Sequence, residues 1–390
     1  MKKASLPASS QGPLHGIKVL DLTRLLPGPL CGQHLADMGA DVIKIEDTGA
    51  GDYVRKSLRE QANRGKKGLR LNLKTDAGKE VFLKLVKKCD VVLESFRPGV
   101  MARLGLSFEH LSQHNPRLVY CAISGFGQTG AYRNASGHDI NFQALTGILN
   151  ETGTPDSPAI PGFLLGDLAG GTLSATAGIM AALLQAQRTG EGQFVDVSML
   201  DSLIALSALP VALLNEGAEF TQRGRGTHTG GTAHYNVYET ADGRHLAVGA
   251  QEKKFWDVFC DAIDCSHLRD RHSHVPEENV SIKVEVAAAI KSHTLDTWLE
   301  IFRDLDCCVS PVRTIDEAIS DKHFRERGVI GDHQNAFHVG LPFTLSGCSV
   351  EFSRPSPSPG EHTHEILRGL GYDEQAISDM ESKGAIARPK

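Results

Sequence analysis

The sequence predicts an α/β protein, with a parallel, doubly wound sheet joined to a second, smaller α+β domain. Three observations carry that prediction. Apolar strands alternate with short helices in the first half of the chain, the pattern of parallel strands linked by crossover helices. From 163 to 214 the texture changes to long helices rich in small residues. A glycine-rich, polar linker then occupies 216–234, and a hairpin and three helices follow it. A chain of 390 residues is also long for a single hydrophobic core.

Each element has its own signal. "IKVLDLT" is an apolar strand, and "PGPLCGQHLADMGA" a short helix with proline near its start and glycine near its end. "DVIKIE" is the next strand. "DAGKEVFLKLVKKC" has an acidic first turn and a lysine-rich last turn, as the helix dipole favours, and "DVVLESF" follows as a strand. "SFEHLSQHN" reads as a helix and "RLVYCAIS" as a buried strand. In "GGTLSATAGIMAALLQAQ" the small residues permit close helix packing, and "GQFVDVSMLDSLIALSALPVALL" reads as a strand leading into a helix. "YNVYETADGRHLAVGA" is a hairpin about Asp242-Gly243. Helices are expected over 252–262, 283–292 and 295–305, "LDCCVSPV" as a buried strand, and the small domain over about 225–330.

Bulk properties narrow the function. With 41% apolar and 23% charged residues the chain is an ordinary globular protein. Its net charge of −6, from 41 basic and 47 acidic side chains, argues against nucleic acid or an anionic membrane as partner. "MKKASLPASSQG" lacks the apolar core of a signal peptide, and "SLIALSALPVALL" is too short to span a bilayer and contains Pro210. A cytoplasmic location is expected. Eight scattered cysteines form no C-x-x-C pair and are read as reduced packing residues. The loop "RLLPGPLCG" after the first strand lacks G-x-G-x-x-G, which disfavours nicotinamide and flavin chemistry. No G-x-x-x-x-G-K-[ST] loop is present either.

Three stretches are chemically informative. In "ASGHDINFQALTG", Ser136, Asp139 or Asn141 could cap a helix, which would leave His138 a surface residue. The other reading makes His138 a general acid or base, since imidazole titrates near neutral pH. In "GFLLGDLAGGTLS", Asp167 is either an N-cap or a carboxylate of disturbed proton affinity in an apolar, glycine-lined surround. "NRGKKGLRLNLK" carries Arg64, Lys66, Lys67, Arg70 and Lys74, either a solvated basic edge or a dock for a phosphate-rich ligand. Arg97 and Arg103 in "ESFRPGVMARLGL" add to that basic set. A nucleotide-like moiety that is not a dinucleotide, such as coenzyme A, suits it.

Seven segments now carry a resemblance: "GIKVLDLTRLLPGPLCGQHLADMGADVIKIED", "SFRPGVMARLGL", "NPRLVYCAISGFGQTG", "GHDIN", "LLGDLAGG", "VYETADGRHLAVGA" and "GEHTHEILRGLGY". In this order, from about residue 15 to 372, the chain resembles the family III CoA-transferases of the CaiB/BaiF superfamily, in the branch containing α-methylacyl-CoA racemase. The resemblance implies a Rossmann-like large domain begun by 1–215 and completed by 331–390, with the linker and small α+β domain at 216–330. It further implies an interlocked homodimer, an active site between subunits, and a place in acyl-CoA and fatty acid metabolism.

Carried over by motif, Asp167 matches the family's essential aspartate. In the transferases that carboxylate attacks the acyl-CoA thioester and forms an acyl-aspartyl anhydride. In the racemases it is one of two bases flanking Cα, and His138 matches the other. Glu252 matches a glutamate of the partner subunit's small domain that hydrogen-bonds this histidine, fixing its tautomer and raising its basicity. The resemblance also implies that Arg70, Leu71, Asn72, Leu73, Lys74 and Arg103 contact CoA. Gly137, Asp139, Ile140, Asn141 and Phe142 would line the thioester end, beside His138. Coenzyme A enters as part of the substrate, and no metal or permanently bound cofactor is expected.

Some positions depart from the family's pattern. Asp47 stands where many members have an arginine close to the adenine, with Arg24 or Lys66 as the basic side chains placed to compensate. Leu26 stands where formyl-CoA transferases need glutamine, which argues against oxalate and formate chemistry. Gln251-Glu252-Lys253 replaces the racemases' usual apolar-Glu-Pro. Helix starts near Gly137 and Gly170 would aim N–H groups at an enolate oxygen. The expected activity is 2-methylacyl-CoA racemisation. The alternatives are CoA transfer to a carboxylic acid through Asp167, and non-catalytic acyl-CoA binding.

Overall fold

Six parallel strands form: β1 (Lys18–Asp21), β2 (Asp41–Glu46), β3 (Lys67–Arg70), β4 (Val91–Glu94), β5 (Val119–Ser124) and β6 (Phe194–Ser198), five of them on the runs expected and β3 inside the basic stretch "NRGKKGLRLNLK". They lie in the order β3-β2-β1-β4-β5-β6, with Leu20 of β1 paired to Ile43 on one side and Val92 on the other. β4 and β5 are buried throughout, which is why they read as unbroken apolar runs. The order reverses direction between β1 and β4. In such a sheet that reversal opens a crevice beyond the carboxyl ends of the two strands. The computed structural model describes residues 12–217, 223–333, 335–347 and 349–389. The lead-in, positions 218–222 of the linker and Cys348 lie outside the described residues.

The helices follow the sequence closely. Pro27–Asp37 carries its prolines in the first turn, and Thr75 caps Asp76–Val86 by accepting from the Gly78 N–H. One continuous helical stretch, Gly166–Thr189, is long and apolar enough by length and composition to cross a membrane. Its buried face (Ala175, Thr176, Ile179, Ala182, Leu183, Ala186) packs on β5, β6 and the Pro27–Asp37 helix, so it serves as a core helix.

The chain divides into two units: Met1–Gln143, Phe163–Ala208 and Asp321–Lys390 form the first, Ala144–Gly162 and Leu209–Ser320 the second. Residues 144–162 thus fall in the second unit, whereas a division at 215 and 330 places them in the large domain. In the first unit the C-terminal segment joins the core directly. Ile366, Leu367, Ile377, Met380 and Ile386 pack with Leu69, Leu71, Val81 and Phe82, and Ile386 bridges Leu71.

The second unit holds an antiparallel sheet, β7 (Tyr235–Glu239), β8 (His245–Gly249) and β9 (Val309–Pro311), in the order β9-β8-β7. Asp242-Gly243 forms the β7–β8 turn, with Gly243 at φ +75°. Helices Lys253–Ala262, Asn279–Ile290 and Leu295–Phe302 supply an aromatic core of Trp256, Phe259, Trp298 and Phe302. The middle helix begins four residues before its expected start, because Asn279 is buried and tied to its surroundings. "LDCCVSPV" is not a buried strand throughout. Cys307 is buried, but Cys308 is exposed at φ +55° and turns the chain into β9.

Candidate active site

The crevice predicted by the strand order exists. A cleft of about 450 Å³ opens between the loops after β1 and β4, lined by Arg24, Leu25, Phe96 and Arg97, by Gly137, His138 and Asn141, and by Asp167. A second cleft of about 540 Å³ shares Arg24 and Phe96 with it and runs past Thr48, Tyr53 and Leu71, Asn72, Leu73 and Lys74. Every lining residue of both belongs to the first unit.

The β1 loop is held from below by buried charge. Asp21 Oδ2 accepts from Lys66 Nζ at 2.8 Å, its Oδ1 lies 3.5 Å from Lys44 Nζ, and all three side chains are fully buried. Asp21 also accepts from the Thr23 N–H and hydroxyl. Its two lysines hold its carboxyl below the usual range although burial opposes them. Above this anchor Leu25 adopts φ +67°, a strained conformation for a leucine, and its N–H donates to the Asp52 carboxylate. Strain of this kind lines the cleft itself.

His138 precedes the helix Asp139–Leu145. Asn141, two residues into the helix, turns its side chain back to accept the His138 N–H at 2.9 Å, while the Asn141 N–H donates to the His138 carbonyl. The capping role therefore belongs to Asn141, and the His138 side chain is left exposed in the cleft. Asp139 turns inward. Its Oδ1 accepts the Asp167 N–H at 3.1 Å and its Oδ2 accepts from Gln143 Nε2 at 2.6 Å.

Asp167 lies in a π-helical turn, Gly166–Leu173, that runs on into Ser174–Thr189. It caps nothing. Wide turns of this kind recur at functional sites. Close packing shapes this one: a Cβ on Gly171 would fall 2.7 Å from Pro27 Cβ, and one on Gly166 3.0 Å from Asp139 Oδ1. The helical run starts at Gly166 rather than near Gly170, which corrects the expected helix start and places the Gly170 N–H inside the helix. Burial and the neighbouring Asp139 charge push the Asp167 carboxyl up to about 6, with His138 opposing them. A half-buried carboxyl whose proton affinity is raised toward neutrality, beside an imidazole, can both give and take a proton.

The basic residues sort differently from the sequence reading. Arg64 and Lys66 are not on a solvated edge: both are buried, Arg64 against Asp37 at 2.6 Å and Lys66 on Asp21. Burial holds Lys66 down to about 8, and it cannot reach a ligand. Arg70 is buried with its guanidinium on the carbonyls of Thr48 and Arg388, while Leu71 to Lys74 line the second cleft. Arg103 is exposed beside the cleft residues Val100 and Leu104. Arg97 donates to Ser136 at 2.7 Å, Ile140 is exposed, and Phe142 is a buried ring packed on Phe126 at the cleft wall. Glu252 belongs to the second unit, exposed at the N-terminus of the Lys253–Ala262 helix with no capping hydrogen bond.

Sequence reading missed several contributors. Arg133 lines the first cleft. Tyr53 and Phe96 flank Arg24, whose guanidinium sits 5.5 Å from each ring centre and bonds Asp47 at 2.5 Å and the Tyr53 hydroxyl at 2.7 Å. No motif marks these three, because each reaches its cleft from a different loop. Asp139 stands in a motif that implies ligand contact, and its hold on Asp167, 28 positions away, leaves no local mark in the sequence.

Known proteins give the context. The model of CoA-transferase family III matches residues 14–363. The human protein "Alpha-methylacyl-CoA racemase" is 35% identical over 97% of this chain and 98% of its own. The mouse "Succinyl-CoA:glutarate CoA-transferase" is 32% identical over 97% of this chain and 91% of its own. A crystal structure of a CaiB/BaiF family protein from Brucella suis superposes with a TM-score of 0.81 at 28% identity, covering 92% of this chain and 100% of that one. On sequence and fold together, the chain belongs to CoA-transferase family III, whose members are racemases or CoA-transferases.

Proposed function

We propose that the protein is a 2-methylacyl-CoA racemase acting through two bases. The observation that carries this reading is the pairing of His138 with Asp167 in one cleft, the carboxyl held near neutrality. One group removes the α-proton of the thioester, the electron pair moves onto the thioester oxygen as an enolate, and the other group returns a proton to the opposite face. The two then exchange roles. Only a proton is exchanged, so the two side chains alone balance the reaction.

Coenzyme A lies across both clefts in this proposal, its phosphates near Arg24, Lys74 and Arg103 and its pantetheine passing Leu71 to Leu73. Of the two side chains placed to compensate for Asp47, Arg24 takes that part. Gly137 to Phe142 and Arg97 shape the thioester end, with Asp139 setting the proton affinity of Asp167. Glu252 of a partner subunit approaches His138 in a homodimer. Exposed apolar side chains support an assembly: Phe163, Leu173, Leu184, Ile204 and Leu206 in the first unit, and Ile160, Leu209, Val211 and Leu214 in the second.

A second reading has Asp167 attack the thioester carbon, release CoA thiolate and hold the acyl group as an anhydride for transfer. It is favoured by relatives named as CoA-transferases, such as the mouse protein above. Incubating the enzyme in D2O with a single-epimer 2-methylacyl-CoA and no acceptor acid separates the two. Racemisation gives deuterium at Cα and an equilibrated epimer ratio. Absence of exchange, together with CoA passing to an added carboxylate, overturns the proposal. Neither activity over a panel of acyl-CoA thioesters points to a binding protein.

A further inference from the structure

The second unit contains a cluster of imidazoles that the acyl-CoA chemistry does not use. His234, just before β7, meets His272 and His274 from the loop after Ser266–Arg271. Their ring centres are 4.5, 4.9 and 5.2 Å apart, and one nitrogen from each lies within 4.8 Å of the others. His234 is 1% exposed. Its Nε2 and that of His272 are buried without a hydrogen-bond partner. Orphaned buried nitrogens of this kind call for an explanation.

We propose that His234, His272 and His274 form a binding site for a first-row divalent transition metal of the zinc class. Three imidazoles are a donor set for such an ion and leave one position for water. The surroundings are those of a built site. Asn279, itself 1% exposed, pins the two histidine-bearing segments together: its Oδ1 accepts the Ala233 N–H at 2.8 Å, and its Nδ2 donates to the Ser273 and Val275 carbonyls at 2.8 Å each. Trp256 backs His234 and His272. Of the His272 nitrogens, Nε2 is buried without a partner and so free for the ion.

Tetrahedral coordination requires nitrogens about 3.3 Å apart, so the rings close inward on binding. His274, the exposed member, has room to do so. The site adjoins Gln251 and hence the start of the helix that opens with Glu252.

The test uses untagged, chelator-stripped full-length protein titrated with Co2+ and Zn2+. Expected are one ion per chain, visible d–d absorption of a low-coordinate Co2+ site bleached by Zn2+, and a rise in melting temperature with metal. His274→Ala, at an exposed position, should keep the metal-free melting temperature and weaken binding at least ~10-fold. His245→Ala, an exposed histidine of the same unit, should bind as wild type. No stoichiometric binding by wild type, or undiminished binding by His274→Ala, overturns the assignment.

Discussion

Two clusters of buried charge flank the β1–β4 crevice, and they are built on opposite principles. Under the β1 loop, Asp21 is enclosed by Lys44 and Lys66 and by the Thr23 hydroxyl, so each charge has a partner. At the cleft, Asp167 shares its surroundings with a second carboxylate, Asp139, and only His138 opposes them. Paired burial fixes a charge and makes scaffold. Burial beside a like charge leaves a proton free to move, which is what acid–base chemistry needs.

The comparison can be broken from either side. Asp167→Asn should cripple catalysis in either reading, by about 10²–10⁴-fold in kcat, while leaving the fold intact. Its effect on stability has a definite sign. The folded carboxyl keeps its proton up to about pH 6, against 3.8 for the ordinary group, so between these values the folded chain binds more protons than the unfolded one. Wild-type stability therefore declines as pH rises from about 4 to 6, and urea unfolding of the variant should lack that decline. Asp21→Ala should do the reverse. Stripping two buried ammonium groups of their carboxylate costs about 3–5 kcal/mol, read from the urea midpoint, although Asp21 lines neither cleft.

Smaller effects sharpen the account. Arg24→Gln should raise KM for acyl-CoA about 10-fold with kcat little changed, since it removes a charge-assisted contact common to ground and transition states. Asp139→Asn removes a charge in nearly the same shape. The limb of the kcat/KM profile governed by Asp167 should move to lower pH, by less than about one unit. Both epimers should share that profile, because the two productive forms of the pair carry the same number of protons.

Much of this was legible in the sequence. Strand order aside, five of the six strands follow apolar runs while β3 is hidden in a basic stretch, and His138 and Asp167 stand in recognisable motifs. What escaped was whatever depends on partners distant in sequence. "NRGKKGLRLNLK" reads as a basic edge, yet Arg64 and Lys66 are buried because Asp37 and Asp21 wait for them 27 and 45 positions away. Asp139 reads as a ligand contact, but its carboxylate faces Asp167 only once the π-helical turn is in place. The loop "DRHSHVPEE" has no spacing that marks it, because its third imidazole, His234, comes from before β7.

The central claim is that His138 and Asp167 act on opposite faces of Cα. Its most direct test is His138→Ala in D2O with each pure epimer of a 2-methylacyl-CoA, following Cα deuterium and configuration. The account predicts that one epimer, the one whose α-proton faces Asp167, still exchanges with retention, while the other stays protonated and neither inverts. Equal exchange of both epimers, or inversion at the wild-type rate, would contradict it.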